Sequence, residues 1–368
     1  MSSSFRKPRR QNGAALIVAL VVVLLVVMLA TRVSSDYLVL FRTVENQREL
    51  QQARSYLRGA ELVAEQALLR DMQTSFEVDS TLELWARRAD LPLPEGIMSA
   101  CLADLQARLN LNDLAAPGAA DGAMTGSYSP AQKRFIRLLQ AVDASIDSVA
   151  AAALANAVFD WLDADDNARY PGGAEALDYS RSAQPYRPAN QAFASVSELR
   201  LIKGFSSELV AALTPHVSVW GNGNLNLNTM DAQLTALADP TSAMPVMLRT
   251  LNNADTLLPL SVDGARLLAS ARAGSGGVLQ NLEFFDAAPF SAQDWELDGV
   301  ALTSSWFELT AVMRTAQRAW TMTAVLHRVQ SVAGVPEVTV VSRRYDQGVS
   351  GAANGTETEN ASCAATSP

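Results

Sequence analysis

Two regimes of hydropathy divide the N-terminal part of the chain. From Ala14 to Ala30, seventeen consecutive residues carry neither a charge nor a polar side chain. Beyond Arg32 the apolar positions become periodic: Val33, Tyr37, Leu40 and Val44, then Ala53, Leu57, Ala60, Ala64 and Leu68, three or four apart with one phase slip. This spacing lines one face of a helix. No proline occurs between Ala14 and Leu91, so the pattern predicts one helix from the apolar stretch to about Asp71. An apolar helix followed by a separate amphipathic coil has the same pattern.

Leu91-Pro92-Leu93-Pro94-Glu95-Gly96 breaks the helical regime, and Met98 to Leu105 alternates as a strand does. Residues 115–129 are rich in Ala, Gly, Ser and Asp and read as a loop. Helical periodicity returns from Pro130 to Leu162. Further on, Leu199, Ile202, Leu209 and Leu213 predict two short helices around a Lys203-Gly204 turn, the first opened by a Ser195/Glu198 capping box. This unit resembles a helix-hairpin-helix. A weaker second copy follows Leu225-Asn226-Leu227-Asn228-Thr229, with Leu234, Leu237, Val262, Ala265, Leu268 and Ala269 as helical positions. The glycine-rich turn at 274–277 lacks the Lys-Ser/Thr of a phosphate loop. After Asp298 the chain changes to strands, at 306–313, 319–326 and 335–345, with short turns that suit an antiparallel meander. The tail from Asp346 has the composition of a disordered segment.

Charge gives the apolar run a setting. Arg6, Lys7, Arg9 and Arg10 precede it, which places the N-terminus on the cytoplasmic side and the body across the membrane, which in a Gram-negative bacterium would be the periplasm. Seventeen residues span roughly 25 Å as a helix, slightly short of a typical hydrocarbon core. Over 368 residues the formal net charge is −9, and a body this acidic argues against nucleic acid as a partner. His216 and His327 are the only histidines and fall in no ligand or triad pattern; no enzymatic constellation is evident. Cys101 and Cys363 have no metal-ligand spacing, and a bridge between them is left open.

One acidic stretch carries candidate chemistry. Asp163, Asp165 and Asn167 match the first three ligand positions of a calcium loop, where hard oxygens at alternate residues converge on one ion. The match then fails, because Ala168 replaces the loop glycine and Ala174 the bidentate carboxylate, with Glu175 one step late. An irregular Ca²⁺ loop would use Asp163, Asp165, Asn167 and Glu175 or Asp178. The competing reading is a solvated acidic turn.

Arg9-Arg10-Gln11-Asn12-Gly13 ahead of the apolar run resembles a type IV prepilin or pseudopilin leader, cut by prepilin peptidase between Gly13 and Ala14; the competing reading is an uncleaved anchor. With Arg108-Leu109-Asn110-Leu111-Asn112, Asp160-Trp161-Leu162-Asp163-Ala164-Asp165, Gly173-Ala174-Glu175, Tyr186-Arg187-Pro188-Ala189-Asn190, Ser195 to Lys203 and Leu225-Asn226-Leu227-Asn228-Thr229 in that order, residues 9–345 resemble the K-type minor pseudopilins of type II secretion. The resemblance implies an α+β fold. A pilin-like N-terminal transmembrane helix would pack on an antiparallel sheet, with a large, mostly α-helical domain inserted and calcium bound in the globular part. On this reading 1–13 is the leader, 14–30 the transmembrane segment and 31–71 the helix continuation. Residues 72–124 and 298–345 form the pilin-like domain, 125–297 the insert and 346–368 the tail.

The same resemblance implies N-methylation of Ala14 and a non-enzymatic role at the tip of the pseudopilus, initiating assembly. Implied partners are the I- and J-type minor pseudopilins, prepilin peptidase, secreted cargo and the outer-membrane secretin, with the inner membrane as the anchor. Most pseudopilins carry Glu five residues into the mature chain; here that position is Val18, which suits a terminal, first-assembled subunit. The rival readings are a minor pilin of a type IV pilus, a membrane-anchored periplasmic enzyme, and a DNA-uptake receptor.

Overall fold

A computed structural model of the chain describes residues 12–74, 77–115, 128–181, 184–232, 244–253, 255–331 and 334–349. It divides into two compact units, residues 1–56 and 57–368. The first consists, among its described residues, of the N-terminal part of helix α1 (Asn12–Thr74). Here the apolar side chains from Leu16 to Leu29 are solvent-facing, and so are Val33, Tyr37, Leu38, Val39, Leu40, Phe41 and Val44. The helix includes Gly13 and Ala14 and runs without interruption, as the absence of proline allows.

The second unit holds a five-stranded antiparallel sheet in the order β1-β2-β7-β8-β9, formed by β1 (Ala89–Leu93), β2 (Gly96–Asp104), β7 (Trp306–Arg314), β8 (Arg318–Gln330) and β9 (Pro336–Val349). Strict alternation along β7 turns Phe307, Leu309, Ala311 and Met313 inward. On the last turns of α1, Leu57, Ala60, Ala64, Leu68 and Met72 form a buried stripe. The same stripe carries Glu61, which takes a two-pronged ion pair from Arg343 of β9 (2.5 and 3.0 Å), and Asp71, paired to Arg328 of β8 at 2.6 Å. These pairs lay the helix stripe on the sheet.

Two expectations need correction here. The Leu91-Pro92 stretch is no mere break: it lies in edge strand β1, with Pro92 opposite Ile97. Proline is tolerated there because the edge needs no ladder donor on its outer side. Likewise Asp346 to Val349 belong to β9 rather than to a tail; the pairing of Arg318 with Val349 extends the hairpin beyond what the composition suggests. Residues 350–368, Cys363 among them, lie outside the described residues. Cys101 is buried on β2.

Between β2 and β7 the chain builds a second apolar core, running from Leu109 to Val300. Among the described residues its helices are α2 (Pro130–Val142), α3 (Ser148–Leu162), α4 (Ala176–Tyr179), α5 (Ser207–Leu213) and α6 (Val262–Gly274). The helical run expected over 130–162 is broken at 143–147. Ser129 caps α2 through a capping box, while Asp147 caps α3 by accepting from the amides of Val149 and Ala150. The Ser195/Glu198 capping box is present, but the turn it opens (Val196–Leu201) is a 3₁₀ helix.

This segment is internally duplicated. Leu109-Asn110 (β3) pairs in parallel with Val217-Ser218 (β4), and Leu225-Asn226 (β5) pairs in parallel with Val300-Ala301 (β6). In the first copy Asn112 accepts from the Phe193 amide and donates to the Phe193 carbonyl. In the second, Asn228 does the same to Leu279. Each Leu-Asn-Leu-Asn run therefore ends in an asparagine that brackets one distant peptide. Buried arginines gather backbone carbonyls of the irregular segments. Arg137 donates to the carbonyls of Thr250, Asn253 and Thr256, and Arg272 to those of Leu227, Met230 and Asp231. Leu234 and Leu237 lie outside the described residues; Ala265, Leu268 and Ala269 bury on α6 as expected.

Candidate metal centre

Helix α3 delivers the acidic stretch from its C-terminal end. Asp160, on the last turn, is buried and accepts from the amides of Arg169 (3.1 Å) and Ala174 (2.9 Å). The loop must therefore fold back over this carboxylate. Gly173 makes that approach feasible: a Cβ there would sit 2.2 Å from Asp160 Oδ2. Arg169 pairs with Asp160 (3.5 Å) and with Asp163 Oδ2 (3.3 Å), its guanidinium over the Phe159 ring.

Within that fold-back, one carboxylate oxygen from each of Asp163, Asp165 and Glu175 lies within 4.8 Å of the others. Asp163 Oδ1 and both oxygens of Glu175 are buried with no hydrogen-bond partner. Burial, then the neighbouring Asp160, Asp163, Asp166 and Asp165, pushes the Glu175 carboxyl up to about 7. Asp163 is raised by burial and by Asp165, and Asp160 rises to about 6, mainly through burial. Orphaned, crowded carboxylate oxygens are costly unless a cation or protons neutralise them. All the donors are hard oxygens, the set that suits Ca²⁺. The residues present fit the ion.

Of the five residues expected to form the site, the structure gathers three. Asn167 is exposed, and its amide donates to Asp165 Oδ1 at 2.8 Å, an Asx turn that shapes the loop. Asp178 is turned away: it accepts from Lys203 Nζ at 2.9 Å, and that bond holds its carboxyl below the usual range. The sequence reading missed Asn190. Its Nδ2 donates to the Asp165 carbonyl at 3.3 Å, and its Oδ1 is buried without a partner. The only signal was its place in the Arg-Pro-Ala-Asn run, distant along the chain. Asp160, also passed over as a site residue, is the buried anchor of the loop.

The loop also leans on the turn at Lys203-Gly204. Lys203, at the exposed turn, donates to Asp178 through its ammonium and to the Tyr179 hydroxyl through its backbone amide. Tyr186 donates to the Leu201 carbonyl and packs with Tyr179 and Trp161. The histidines lie elsewhere. His327 stacks on Trp306 at 4.1 Å, and burial pushes His216 down to about 4.

The family model for type II secretion system protein K matches residues 107–222, which run from just before β3 to just beyond β4. The type II secretion system protein K of Aeromonas hydrophila is 32% identical over 236 residues, covering 62% of this chain and 70% of that one. The chain belongs to the type II secretion system protein K family. The protein K of Pseudomonas aeruginosa is 34% identical over 237 residues (62% of this chain, 68% of that one). That of Pectobacterium carotovorum aligns over 347 residues at 27% identity, covering 91% and 97%. In a solved GspK-GspI-GspJ complex from enterotoxigenic Escherichia coli, one chain matches with a TM-score of 0.63 at 22% identity, over 83% of this chain and 99% of that one. The protein K fold, an apolar N-terminal helix with an antiparallel sheet and helical regions, is thus shared by this chain. A protein K is a pseudopilin component of type II secretion, and one helix among the described residues is long and apolar enough to anchor it in a membrane.

Proposed function

We propose that this chain is a non-enzymatic minor pseudopilin that sits at the tip of the pseudopilus and initiates its assembly with I- and J-type subunits. The observation that carries the reading is the apolar exposure along α1. Solvent-facing apolar side chains continue from Leu16 to Val44; Ala14 to Val44 spans roughly 45 Å of helix, against a hydrocarbon core of about 30 Å. The excess, Val33 to Val44, needs covering by something other than lipid, and the helices of fellow subunits would do it. The solved relative is complexed with GspI and GspJ, which supports the choice of partners. Val18 supports the terminal position, since it offers no carboxylate to a subunit already in place. Cleavage between Gly13 and Ala14, methylation of Ala14, a cytoplasmic N-terminus and a periplasmic body belong to the same reading, as do contacts with secreted cargo and the secretin.

The acidic loop would hold calcium through Asp163, Asp165 and Glu175, with Asn190 Oδ1 completing the set, and the ion would neutralise the buried carboxylates. The deciding experiment is the N-terminal sequence and mass of the protein from membranes, with and without active prepilin peptidase. A mature chain starting at Ala14 only when the peptidase is active is the expected result. An unprocessed chain in both would sink the assembly reading.

A further inference from the structure

A second group of carboxylates lies where the sheet meets the intervening helical segment. Asp71 lies close to the C-terminal end of α1, Asp79 and Glu83 follow in the connection to β1, and one oxygen from each of the three lies within 4.8 Å of the others. Asp104, fully buried, closes β2 nearby. The cation among them is Arg328. It pairs with Asp71 at 2.6 Å and with Asp79, and its Nε donates to the Ser304 carbonyl at 3.0 Å.

Unlike the acidic loop, these groups are wired to one another. Ser304 donates its amide to Asp79 Oδ2 (2.6 Å) and its hydroxyl to Asp104 Oδ2 (2.5 Å). Thr229, from the helical segment, donates to the same Asp104 oxygen at 2.6 Å. Asn226 of β5 donates to the Asp79 carbonyl and to Ser304 Oγ. The network thus ties α1, β2 and β8 to β5 and the turn after it. Trp85 Nε1 donates to Glu83 at 2.5 Å. The charged groups facing Asp79 and Glu83 among the described residues are Asp71, Asp104 and Arg328.

The charge count does not balance. Four carboxylates share one guanidinium in a largely water-free junction, and like charges confined there cannot all ionise. We propose that the carboxylates around Arg328 form a proton-operated latch between the sheet and the helical segment, closed while the cluster holds protons and loosened when it gives them up. Burial is the main cause that pushes Asp79 up to about 6 and Glu83 to about 7, and it raises Asp104 as well. The direction follows by linkage. Groups whose carboxyls titrate higher in the closed state bind more protons there, so closure is strongest at acidic pH, weakens as pH climbs out of the ordinary carboxylate range, and has lost most of its proton-linked share once pH passes about 7.

The test is hydrogen exchange read by mass spectrometry on the full chain in detergent, with calcium held in excess and rates corrected for intrinsic pH dependence. Peptides covering 225–231 and 302–306 report on the latch. Between pH 6 and pH 8 they should lose protection by at least about tenfold, the share expected from Glu83 alone. Glu83→Gln retains an acceptor for Trp85 and should remove most of that loss. Asp79→Asn, less conservative because it weakens the Arg328 pair, should flatten the profile further at the cost of lower protection at pH 6. Protection that is independent of pH in the native chain would overturn the latch. So would an undiminished loss in Glu83→Gln.

Discussion

A single hydrogen at Gly173 decides whether the acidic loop can close over Asp160. Alanine there would place a carbon 2.2 Å from Asp160 Oδ2 and 2.6 Å from the Arg169 backbone, neither of which can yield without undoing the fold-back. Gly173→Ala is therefore expected to weaken calcium binding at least tenfold and to cost about 2–3 kcal/mol of stability, as calorimetry and thermal unfolding of the full chain in detergent would measure. Asp163→Ala and Asp165→Ala should each lower calcium affinity too; binding unchanged in both would remove this loop from the site. Protons compete for the same oxygens. With the Glu175 carboxyl near 7 before metal binds, affinity should fall roughly tenfold from pH 8 to pH 6, because the ligand must first lose its proton. Without metal the sign reverses, since a raised carboxyl lends stability that is lost as pH climbs through 7. The part of this site readable from sequence was the local part, the Asp-x-Asp spacing. Asn190 and the diversion of Asp178 to Lys203 depend on chain returning from elsewhere, and no local spacing encodes them.

At the scale of elements, the duplicated Leu-Asn-Leu-Asn units behave as two clasps of unequal burial. Asn228 is 2% exposed, whereas Asn112 is half-buried. Truncating either leaves a peptide amide and carbonyl unpaired, but only the deeper pair is kept from water. Asn228→Ala should accordingly cost about 2–4 kcal/mol and Asn112→Ala less, by denaturant midpoints of the full chain; the reverse order would show that burial is not what sets the cost. Which elements were legible follows the same logic. Helix α1 and strands β2, β7, β8 and β9 carry strong periods of their own, and each was readable. Strand β1 was not, because Leu-Pro-Leu-Pro looks like a breaker until an edge position excuses its prolines. The 3₁₀ turn at Val196–Leu201 has the cap and apolar spacing of an α-helix, and tertiary packing decides between the two.

For the molecule as a whole, the exposed apolar side chains beyond lipid reach form the assembly surface in the proposed function. Replacing Leu38 and Phe41 of α1, both more than half exposed, by Glu should abolish co-purification with I- and J-type subunits and stop secretion. Circular dichroism and unfolding of residues 57–368 within the full chain should stay unchanged, because those side chains contribute nothing to that unit's core. Loss of folding along with assembly would argue that the helix serves the body instead of its neighbours.

β2 ends at Asp104 and its hydrogen-bonded neighbour β7 starts at Trp306. A chain threaded across a membrane from its N-terminus delivers the first strand of that pair long before the second. The β1-β2 hairpin must wait, with one long edge bare, while the whole helical segment emerges, and such an edge invites pairing with the wrong chain. The duplicated segment can collapse on its own core in the meantime, which brings the ends of the interval together and shortens the search. With the periplasmic body of the proposed function, this topology couples export to folding. Slowing emergence of the last hundred residues or so should raise aggregation even where the finished fold is untouched.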